Sequence, residues 1–551
     1  MNNPLKTALL ECKKAFYYCS LFSFFISIFT LASSIYSMQV LDRVLSSNSI
    51  ETLIYLTLIM GVFLIFLGIL TSIRSSVFLH ISNQLDNKIS PILFNKSIES
   101  AQGNKNISSQ NLRDLQNIKS FISGPNLSAL FDTPFALVYL IVIFFIHPVN
   151  GIITVVGALV MLKMALLNQK LTKDLIEETN KLQTQNIRDF EIISSNSEVV
   201  NAMAMRQNVL GRWQKVNGDY LLANSNLSNV TSKVTATSKS LRIAIQTITM
   251  ASSAVLVMYN KMSSGGIIAT SILAGKALAP FDQAVNLWKS LKTAFNSYKK
   301  LNKNLDGYVE DKEKIELPKP EGVISVEKLI YRLPNSTEMT LKGLAFKIES
   351  GEAIGVIGPT GGGKTTLARL LVGVLKPSSG IIRYDGANIF DQDLEKIGKF
   401  IGYLPQDVEL FQGSIKENIS RMDPEATDED IINAAKFCDV HDIILSLPNG
   451  YETQIQPSAS NLSAGQRQRI ALARAYFGEV KFVVLDEPNS NLDSDGEAAL
   501  NNTITRAKKR GITTVVVTHR TSVAAFCDKI LVLQGGEIKA FKTPKEMGVA
   551  K

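Results

Sequence analysis

Six long apolar stretches constrain the fold of this chain more than any other feature. The first two contain no Asp, Glu, Lys or Arg over 27 and 22 residues, which is enough for a helix to cross about 30 Å of hydrocarbon. Because the first stretch is longer than a secretory signal, we expect it to be retained as an anchor. We predict transmembrane helices over residues 15–41, 52–73, 127–146, 152–167, 243–259 and 267–288.

The distribution of basic residues predicts the orientation of these helices. Segments 74–126 and 168–242 hold six and ten Lys and Arg residues, whereas the opposite connections contribute only Arg43 and Lys261. Basic residues are enriched in cytoplasmic loops, so we expect both long segments and both termini in the cytoplasm. This topology accounts for the formal net charge of +9, and we therefore expect no nucleic-acid partner. Residues 168–240 contain no proline, which predicts that the membrane helices continue into the cytoplasm.

Ionisable residues also fall near or inside the predicted spans. Asp132 and Lys163 lie close to the ends expected at the cytoplasmic boundary, where a charge can reach water. Lys276 lies deeper, and two interpretations of it stay open: it lines a substrate path, or it forms a structural ion pair, for which Asp282 is a candidate. Pro280 frees a backbone carbonyl and predicts a kink in the sixth span.

A change in composition predicts a second domain. Residues 306–322 are rich in charge and contain two prolines, which is typical of an exposed linker between domains at 1–305 and 323–551. Beyond the linker, apolar runs of strand length alternate with helical segments, which predicts an α/β nucleotide-binding domain. These runs are residues 353–357, 400–404, 482–485 and 514–517. The four cysteines are widely spaced, so neither a disulfide framework nor a zinc site is indicated.

Residues 358–365 read Gly-Pro-Thr-Gly-Gly-Gly-Lys-Thr and match the GxxxxGK[ST] pattern of a phosphate-binding loop. The loop lies between the strand predicted at 353–357 and a helix predicted at 366–374, as phosphate binding requires. Lys364 can reach the β and γ phosphates of a nucleotide, and the Thr365 hydroxyl can ligate Mg²⁺. The residues that we predict to bind nucleotide here are Gly358, Pro359, Thr360, Gly361, Gly362, Gly363, Lys364, Thr365 and Thr366.

Residues 482–487, Phe-Val-Val-Leu-Asp-Glu, predict an apolar strand that ends in two carboxylates. Asp486 is placed to hold Mg²⁺, and Glu487 is placed to orient or deprotonate an attacking water. Taken alone, such a strand is common. Its position more than a hundred residues after a phosphate loop favours ATP hydrolysis.

A further segment, Leu-Ser-Ala-Gly-Gln-Arg-Gln at 462–468, precedes a helical run, where by spacing alone Ser463 can be a simple helix cap. The segment resembles the signature motif of ATP-binding cassette (ABC) proteins. The resemblance implies that Ser463, Gly465 and Gln466 contact nucleotide. It further implies roles for three residues in matching motifs: Gln406 as the lid glutamine that also contacts Mg²⁺, Asp493 as a nucleotide contact in the D-loop, and His519 as the switch histidine at the γ phosphate.

Two features depart from the ABC pattern. Tyr331 is the nearest candidate for the aromatic residue that stacks on adenine, but Leu333 is an alternative occupant of the aligned position. Residues 454–461 lack the glycines usual before the signature, and Ala464 replaces a usual glycine. These departures leave the predicted catalytic residues Gln406, Glu487 and His519 in place.

The membrane half resembles the permease/ATPases of bacterial type I secretion, which export alkaline proteases, lipases and other RTX-type proteins. The segments that carry the resemblance are residues 38–45, 112–116, 131–134, 147–148, 196–203 and 273–280. The fold implied is a membrane all-α six-helix exporter domain followed by an α/β P-loop ABC ATPase domain. Only 14 residues precede the first span, so we expect no peptidase domain there and export without leader cleavage.

The resemblance also implies partners and a location. These are a second copy of the chain in the bacterial inner membrane, surrounding membrane lipid, a periplasmic membrane fusion protein, a TolC-like outer-membrane channel, and a secreted protein with a C-terminal signal. One chain carries one phosphate loop and one signature, so two chains are needed to sandwich two ATP molecules with Mg²⁺. Two alternatives stay open: a lipid or drug exporter of the same fold, and a membrane-tethered regulatory ATPase or ATP-gated channel.

Overall fold

The computed structural model describes residues 3–101, 108–306, 318–333, 336, 338–456, 459 and 461–548. The chain divides into two compact units, Met1–Tyr308 and Val309–Lys551. Most of the predicted linker, residues 307–317, lies outside the described residues.

The described part of the first unit is helical. A π-helical turn at Val40–Val44 and a 3-10 turn at Thr133–Phe135 interrupt the α-helices. The α-helices are α1 Pro4–Glu11, α2 Lys13–Gln39, α3 Leu45–Ser47, α4 Ile50–Ala101, α5 Ser108–Ser123, α6 Pro125–Asp132, α7 Ala136–Ile146, α8 Pro148–Ser195, α9 Ser197–Ala202, α10 Arg206–Met258 and α11 Ser264–Asn304.

Six helical segments in the described residues are long and apolar enough to cross a membrane, which confirms the predicted number of spans. They are Lys13–Ser47, Ile50–Ile98, Pro125–Ile146, Pro148–Ser195, Arg206–Met258 and Ser264–Ala284. At 1.5 Å per residue, the 48 residues of α8 and the 53 of α10 run for about 70 to 80 Å. Each helix is therefore more than twice as long as the hydrocarbon core is thick, and its remainder must extend into water.

Ion pairs fix two carboxylates of the first unit. Asp132 Oδ1 lies 2.5 Å from a nitrogen of Arg74, a residue that is only 5% exposed and that also donates to Ser23 Oγ. Asp282 Oδ2 lies 3.7 Å from Arg242 Nε, and Ser238 Oγ donates to Asp282 Oδ1 over 3.1 Å. The interpretation that pairs Asp282 with Lys276 is therefore wrong, because Arg242 on α10 takes that carboxylate instead.

The second unit is an α/β fold. Its strands are β1 Ile324–Arg332, β2 Met339–Ile348, β3 Ala353–Ile357, β4 Ser379–Tyr384, β5 Ala387–Asn388, β6 Ile401–Leu404, β7 Gly413–Ser414, β8 Gln454–Ile455, β9 Phe482–Asp486, β10 Thr513–Val517, β11 Lys529–Gln534 and β12 Glu537–Lys542. Its α-helices are α12 Lys364–Leu371, α13 Leu394–Ile397, α14 Ile415–Ile419, α15 Asp428–Phe437, α16 His441–Leu445, α17 Ala464–Ala475, α18 Ser494–Lys509 and α19 Thr521–Ala524.

A six-stranded sheet in the order β12-β11-β3-β10-β9-β6 forms the centre of this unit. All its neighbouring strands pair in parallel except β11 and β12. Every residue of β9 and β10 is buried, as expected for central strands covered on both faces. The four predicted strands correspond to β3, β6, β9 and β10, and the helix predicted at 366–374 instead begins at Lys364 and ends at Leu371.

Candidate nucleotide-binding site

The candidate site lies at one edge of the central sheet. Strands β3, β10, β9 and β6 are consecutive neighbours and run in parallel, so their carboxyl ends meet at the same edge. This edge is where open α/β sheets bind ligands. The phosphate loop follows β3, His519 follows β10, Glu487 follows β9 and Gln406 follows β6. The fold thus brings together residues that are as much as 161 positions apart in the chain, as between Gly358 and His519.

The phosphate loop depends on glycine at two described positions. A Cβ on Gly358 would lie 2.0 Å from the Leu533 carbonyl oxygen, so the loop passes too close to β11 for any side chain. Gly363 has φ +95°, a conformation that favours glycine, and α12 begins immediately after it. The N-terminus of α12 therefore points its free N–H groups into the loop, where they favour an anion. Thr360 and Gly361 are exposed at the tip of the loop.

The Lys364 ammonium folds back onto the loop and donates to the carbonyl oxygens of Gly358 and Pro359 over 2.9 and 3.0 Å. Burial lowers the pKa of Lys364, while the nearby carboxylates of Glu487 and Asp486 act in the opposite direction. These hydrogen bonds hold a cation at the centre of the loop. A phosphate group that replaces the two carbonyl oxygens as acceptor would form the stronger, charge-assisted hydrogen bond.

Asp486 lies at the end of β9 and is fully buried. The Thr365 hydroxyl donates to Asp486 Oδ1 over 3.4 Å, whereas Oδ2 has no hydrogen-bond partner in the described structure. Burial raises the pKa of Asp486, and the hydrogen bond from Thr365 opposes that rise. A buried carboxylate oxygen without a partner, next to a hydroxyl, fits Mg²⁺, which uses one or two protein oxygens together with substrate phosphates.

Two of the predicted catalytic residues, His519 and Gln406, converge on the carboxylate of the third, Glu487. His519 Nε2 lies 3.0 Å from Glu487 Oε1, and Gln406 Nε2 donates to Glu487 Oε2 over 3.3 Å. Glu487 itself has φ +50°, which is uncommon for a residue with a side chain. Its N–H donates to the Val517 carbonyl over 2.9 Å. The backbone is thus held in a conformation that costs about 1 to 3 kcal/mol, as often found at functional sites.

Gln468 is a positioning residue that the sequence patterns did not single out. Its side chain is 2% exposed, and Nε2 donates to the Glu487 carbonyl oxygen over 3.1 Å. Its Oε1 accepts from the Asn491 N–H over 3.2 Å. One amide therefore ties α17 to the backbone on both sides of the turn after β9. The only hint in the sequence is that Gln468 ends the signature-like run.

The signature-like segment begins α17 with a capping box. The Gln466 N–H donates to Ser463 Oγ over 3.1 Å, and the Ser463 N–H donates to Gln466 Oε1 over 2.9 Å. Asp493 caps α18 by accepting from the Gly496 N–H over 2.8 Å. Among the described residues, no hydrogen bond links Ser463, Gly465 or Gln466 to the phosphate loop. The signature is therefore ordered as the start of α17.

Tyr331 lies in the core of the second unit and is 6% exposed. Its ring packs among apolar side chains, which counts against stacking on adenine, although that role stays a prediction. Leu333, two residues further on, is exposed. The burial of Tyr331 follows from a bulge in β1, where Glu327 and Lys328 are both exposed and the register shifts. The bulge turns Tyr331 to the same side as Val326 and Leu329.

Comparisons with known proteins cover both units. The family model described as "ABC transporter" matches residues 341–490, and the one described as "ABC transporter transmembrane region" matches residues 16–278. The type I secretion system ATP-binding protein PrsD of Rhizobium meliloti is 37% identical over 544 residues, which cover 98% of this chain and 93% of that protein. The leukotoxin translocation ATP-binding protein LktB of Mannheimia haemolytica is 28% identical and covers 96% of this chain and 76% of that protein.

A solved structure also matches the fold. The structure of a bacterial Atm1-family ABC exporter with ATP bound superposes with a TM-score of 0.82, covering 97% of this chain and 96% of that chain. The two sequences are only 20% identical, so this match establishes the fold alone.

Proposed function

Because the chain belongs to the ABC transporters, in the branch of type I secretion permease/ATPases, we propose that it exports unfolded proteins across the bacterial inner membrane. ABC transporters of this branch hydrolyse ATP to drive export. The observation that carries the proposal is the convergence of Gln406 and His519 on the Glu487 carboxylate, beside a phosphate loop, in a chain with six membrane spans.

Glu487 is the group proposed to act on water. Its two carboxylate oxygens are each engaged, by His519 and by Gln406, so the side chain is oriented before nucleotide arrives. A carboxylate held in this way can accept a hydrogen bond from water and draw its proton away as the oxygen attacks the γ phosphate. His519 is placed to contact the γ phosphate from the end of the neighbouring strand.

Nucleotide binding is proposed to use the phosphate loop and its helix. Lys364 would exchange two loop carbonyl oxygens for phosphate oxygens, and the N–H groups at the start of α12 would face the same charge. Thr365, Asp486 and Gln406 would hold Mg²⁺, which neutralises charge on the phosphate oxygens when bound. The unpaired Oδ2 of Asp486 supports this assignment.

A homodimer with two composite ATP sites is the proposed working form. Within one chain, Ser463, Gly465 and Gln466 make no described hydrogen bond to the phosphate loop. A second copy of the chain can present its signature to that loop, so that nucleotide is enclosed between two protomers. Closing and reopening of this pair would switch the membrane helices between two differently populated states.

The proposed location is the inner membrane with the ATPase domain in the cytoplasm, as supported by the excess of Lys and Arg in segments 74–126 and 168–242. The proposed partners are a periplasmic membrane fusion protein and a TolC-like outer-membrane channel, which are implied by the type I secretion relatives. The proposed cargo is a protein with a C-terminal secretion signal.

The test uses the full-length protein in lipid nanodiscs. ATPase activity is measured with C-terminal peptides of proteins encoded by neighbouring genes, with the same peptides in scrambled order, and with lipids or drugs in place of peptide. Stimulation by native but not scrambled peptides supports protein export. Stimulation by lipids or drugs alone would favour a lipid or drug exporter. Export is measured separately, after reconstitution into sealed vesicles, and hydrolysis without export there would favour a regulatory ATPase.

A further inference from the structure

Lys276 is a charged residue in the sixth span that faces away from its own protomer. It is exposed, while Leu273, Ala274, Ala277 and Leu278, which lie on the adjoining and opposite sides of α11, are at most 1% exposed. The helix thus buries one apolar face and leaves the ammonium on the other.

The described structure offers this ammonium no partner. Asp282, the nearest carboxylate along the helix, is engaged by Arg242 and Ser238. Among the residues that the structure describes, none forms a hydrogen bond or ion pair with Lys276. The charge is therefore not neutralised within the described part of one chain.

The position of Lys276 along the span excludes a location in lipid. It lies twelve residues after Ser264, where α11 begins, and twelve before Trp288, the predicted end of the sixth span, which at 1.5 Å per residue is about 18 Å from each. A charge facing hydrocarbon at such depth costs about 3 kcal/mol or more, so intramembrane lysines face a protein interior or a water-filled cavity.

Polar groups continue from Lys276 along the same face of α11. Pro280 has no N–H to donate to the carbonyl oxygen four residues earlier, which is that of Lys276 itself. Gln283, seven residues on and exposed, lines a cavity of about 270 Å³ together with Asn126 and Asp132. An ammonium, a carbonyl oxygen and a polar cavity thus follow one another along one face of the span.

We propose that Lys276 lines the path of the exported polypeptide and binds the carboxylates of the chain in transit. The proposal rests on the export function above and adds a chemical preference: acidic segments are held in passage and neutral ones are not. An extended polypeptide also brings N–H groups that can bond to the Lys276 carbonyl oxygen, to which Pro280 cannot donate. In a symmetric dimer, the path would carry two such lysines.

The first test needs no substrate and asks only whether position 276 faces water. Lys276→Cys is labelled in nanodiscs with an anionic, water-soluble methanethiosulfonate, since the native Cys12, Cys19, Cys438 and Cys527 are all buried. The control is Ile65→Cys, at an exposed apolar position of the second span. We expect labelling at position 276 to be at least tenfold faster. Equal rates would place Lys276 away from an aqueous path and overturn the proposal.

The second test measures the preference itself. Two labelled peptides of about 20 residues, one of Gly, Ser and Asp and one of Gly, Ser and Asn, are titrated against the full-length protein. We expect the unaltered protein to bind the acidic peptide more tightly than the neutral one. The ratio of the affinity for the acidic peptide to that for the neutral peptide should be at least threefold smaller in Lys276→Gln. Lys276→Arg, which keeps the positive charge, should retain the ratio. Lys289→Gln, an exposed lysine on the same helix, is the control and keeps the ratio.

Either equal affinities in the unaltered protein or an unchanged ratio in Lys276→Gln would contradict the proposal. Failure of secretion-signal peptides to stimulate ATP hydrolysis would instead contradict the export function. The labelling result does not depend on that outcome, so the two failures can be told apart.

Discussion

Glu487 and His519 meet across two neighbouring strands, with the histidine Nε2 3.0 Å from the glutamate Oε1. Asp486, which directly precedes Glu487, is paired in register with Val517, which lies two residues before His519. The contact is therefore fixed by the pairing of parallel strands rather than by a flexible loop. Gln406, which follows β6, holds the other oxygen over 3.3 Å, so any movement of the segment after β6 changes how the carboxylate is oriented.

Replacing Glu487 with Gln is expected to preserve ATP binding and to lower kcat by about a hundredfold or more, because the amide cannot accept a proton from water. ATP should then accumulate in a closed dimer, which mass photometry can detect. Glu479→Gln is the matched control, since Glu479 is an exposed glutamate of the same unit that pairs with Lys319. Near-normal hydrolysis in Glu487→Gln would mean that another group positions the water.

Replacing Lys364 with Ala is expected to weaken ATP binding about tenfold to a hundredfold, because charge-assisted hydrogen bonds contribute about 1.5 to 3 kcal/mol. Export should stop as well. Binding is measured with a fluorescent ATP analogue and export in sealed vesicles. Lys399→Ala removes an exposed lysine of the same domain and should change neither quantity. Continued export by Lys364→Ala would contradict ATP-driven transport.

Replacing Gln468 with Leu is expected to lower kcat while leaving ATP affinity close to normal. Leucine cannot donate to the Glu487 carbonyl oxygen or accept from the Asn491 N–H, so the turn after β9 loses two hydrogen bonds. Leaving these buried groups unpaired should also lower the free energy of unfolding by about 1 to 3 kcal/mol. Steady-state kinetics and thermal unfolding of the full chain measure both effects. A loss of stability with normal kcat would show that Gln468 does not position the catalytic turn after β9.

Short patterns in the sequence were enough to predict the phosphate loop, the two carboxylates at the end of β9 and the six spans, because each pattern consists of residues that are neighbours in the chain. Contacts between distant segments could not be predicted in this way. The partners of Gln468 lie 19 and 23 positions away, and Asp282 pairs with Arg242 on another helix. The burial of Tyr331 depends on a bulge at Lys328, which has φ +44° and breaks the alternation of inward and outward side chains.

Asp486 should make the stability of the nucleotide-free protein depend on pH. Burial raises the pKa of its carboxyl in the folded state above the ordinary value that it has in the unfolded chain. At pH values between these two pKa values, the folded state binds more protons than the unfolded state. The free energy of unfolding therefore falls as pH rises through that interval, and the unfavourable contribution is complete above the folded-state pKa.

Asp486→Asn removes this buried charge, and we expect it to raise the Tm of the nucleotide-free protein at neutral pH and to flatten the fall in stability with rising pH. The same change removes the unpaired oxygen proposed to hold Mg²⁺, so the additional rise in Tm that Mg²⁺ gives in the presence of ATP should disappear. Asp495→Asn, at an exposed position in the first turn of α18, should keep that additional rise. A full Mg²⁺ effect in Asp486→Asn would show that the Asp486 carboxylate is not needed to hold the cation.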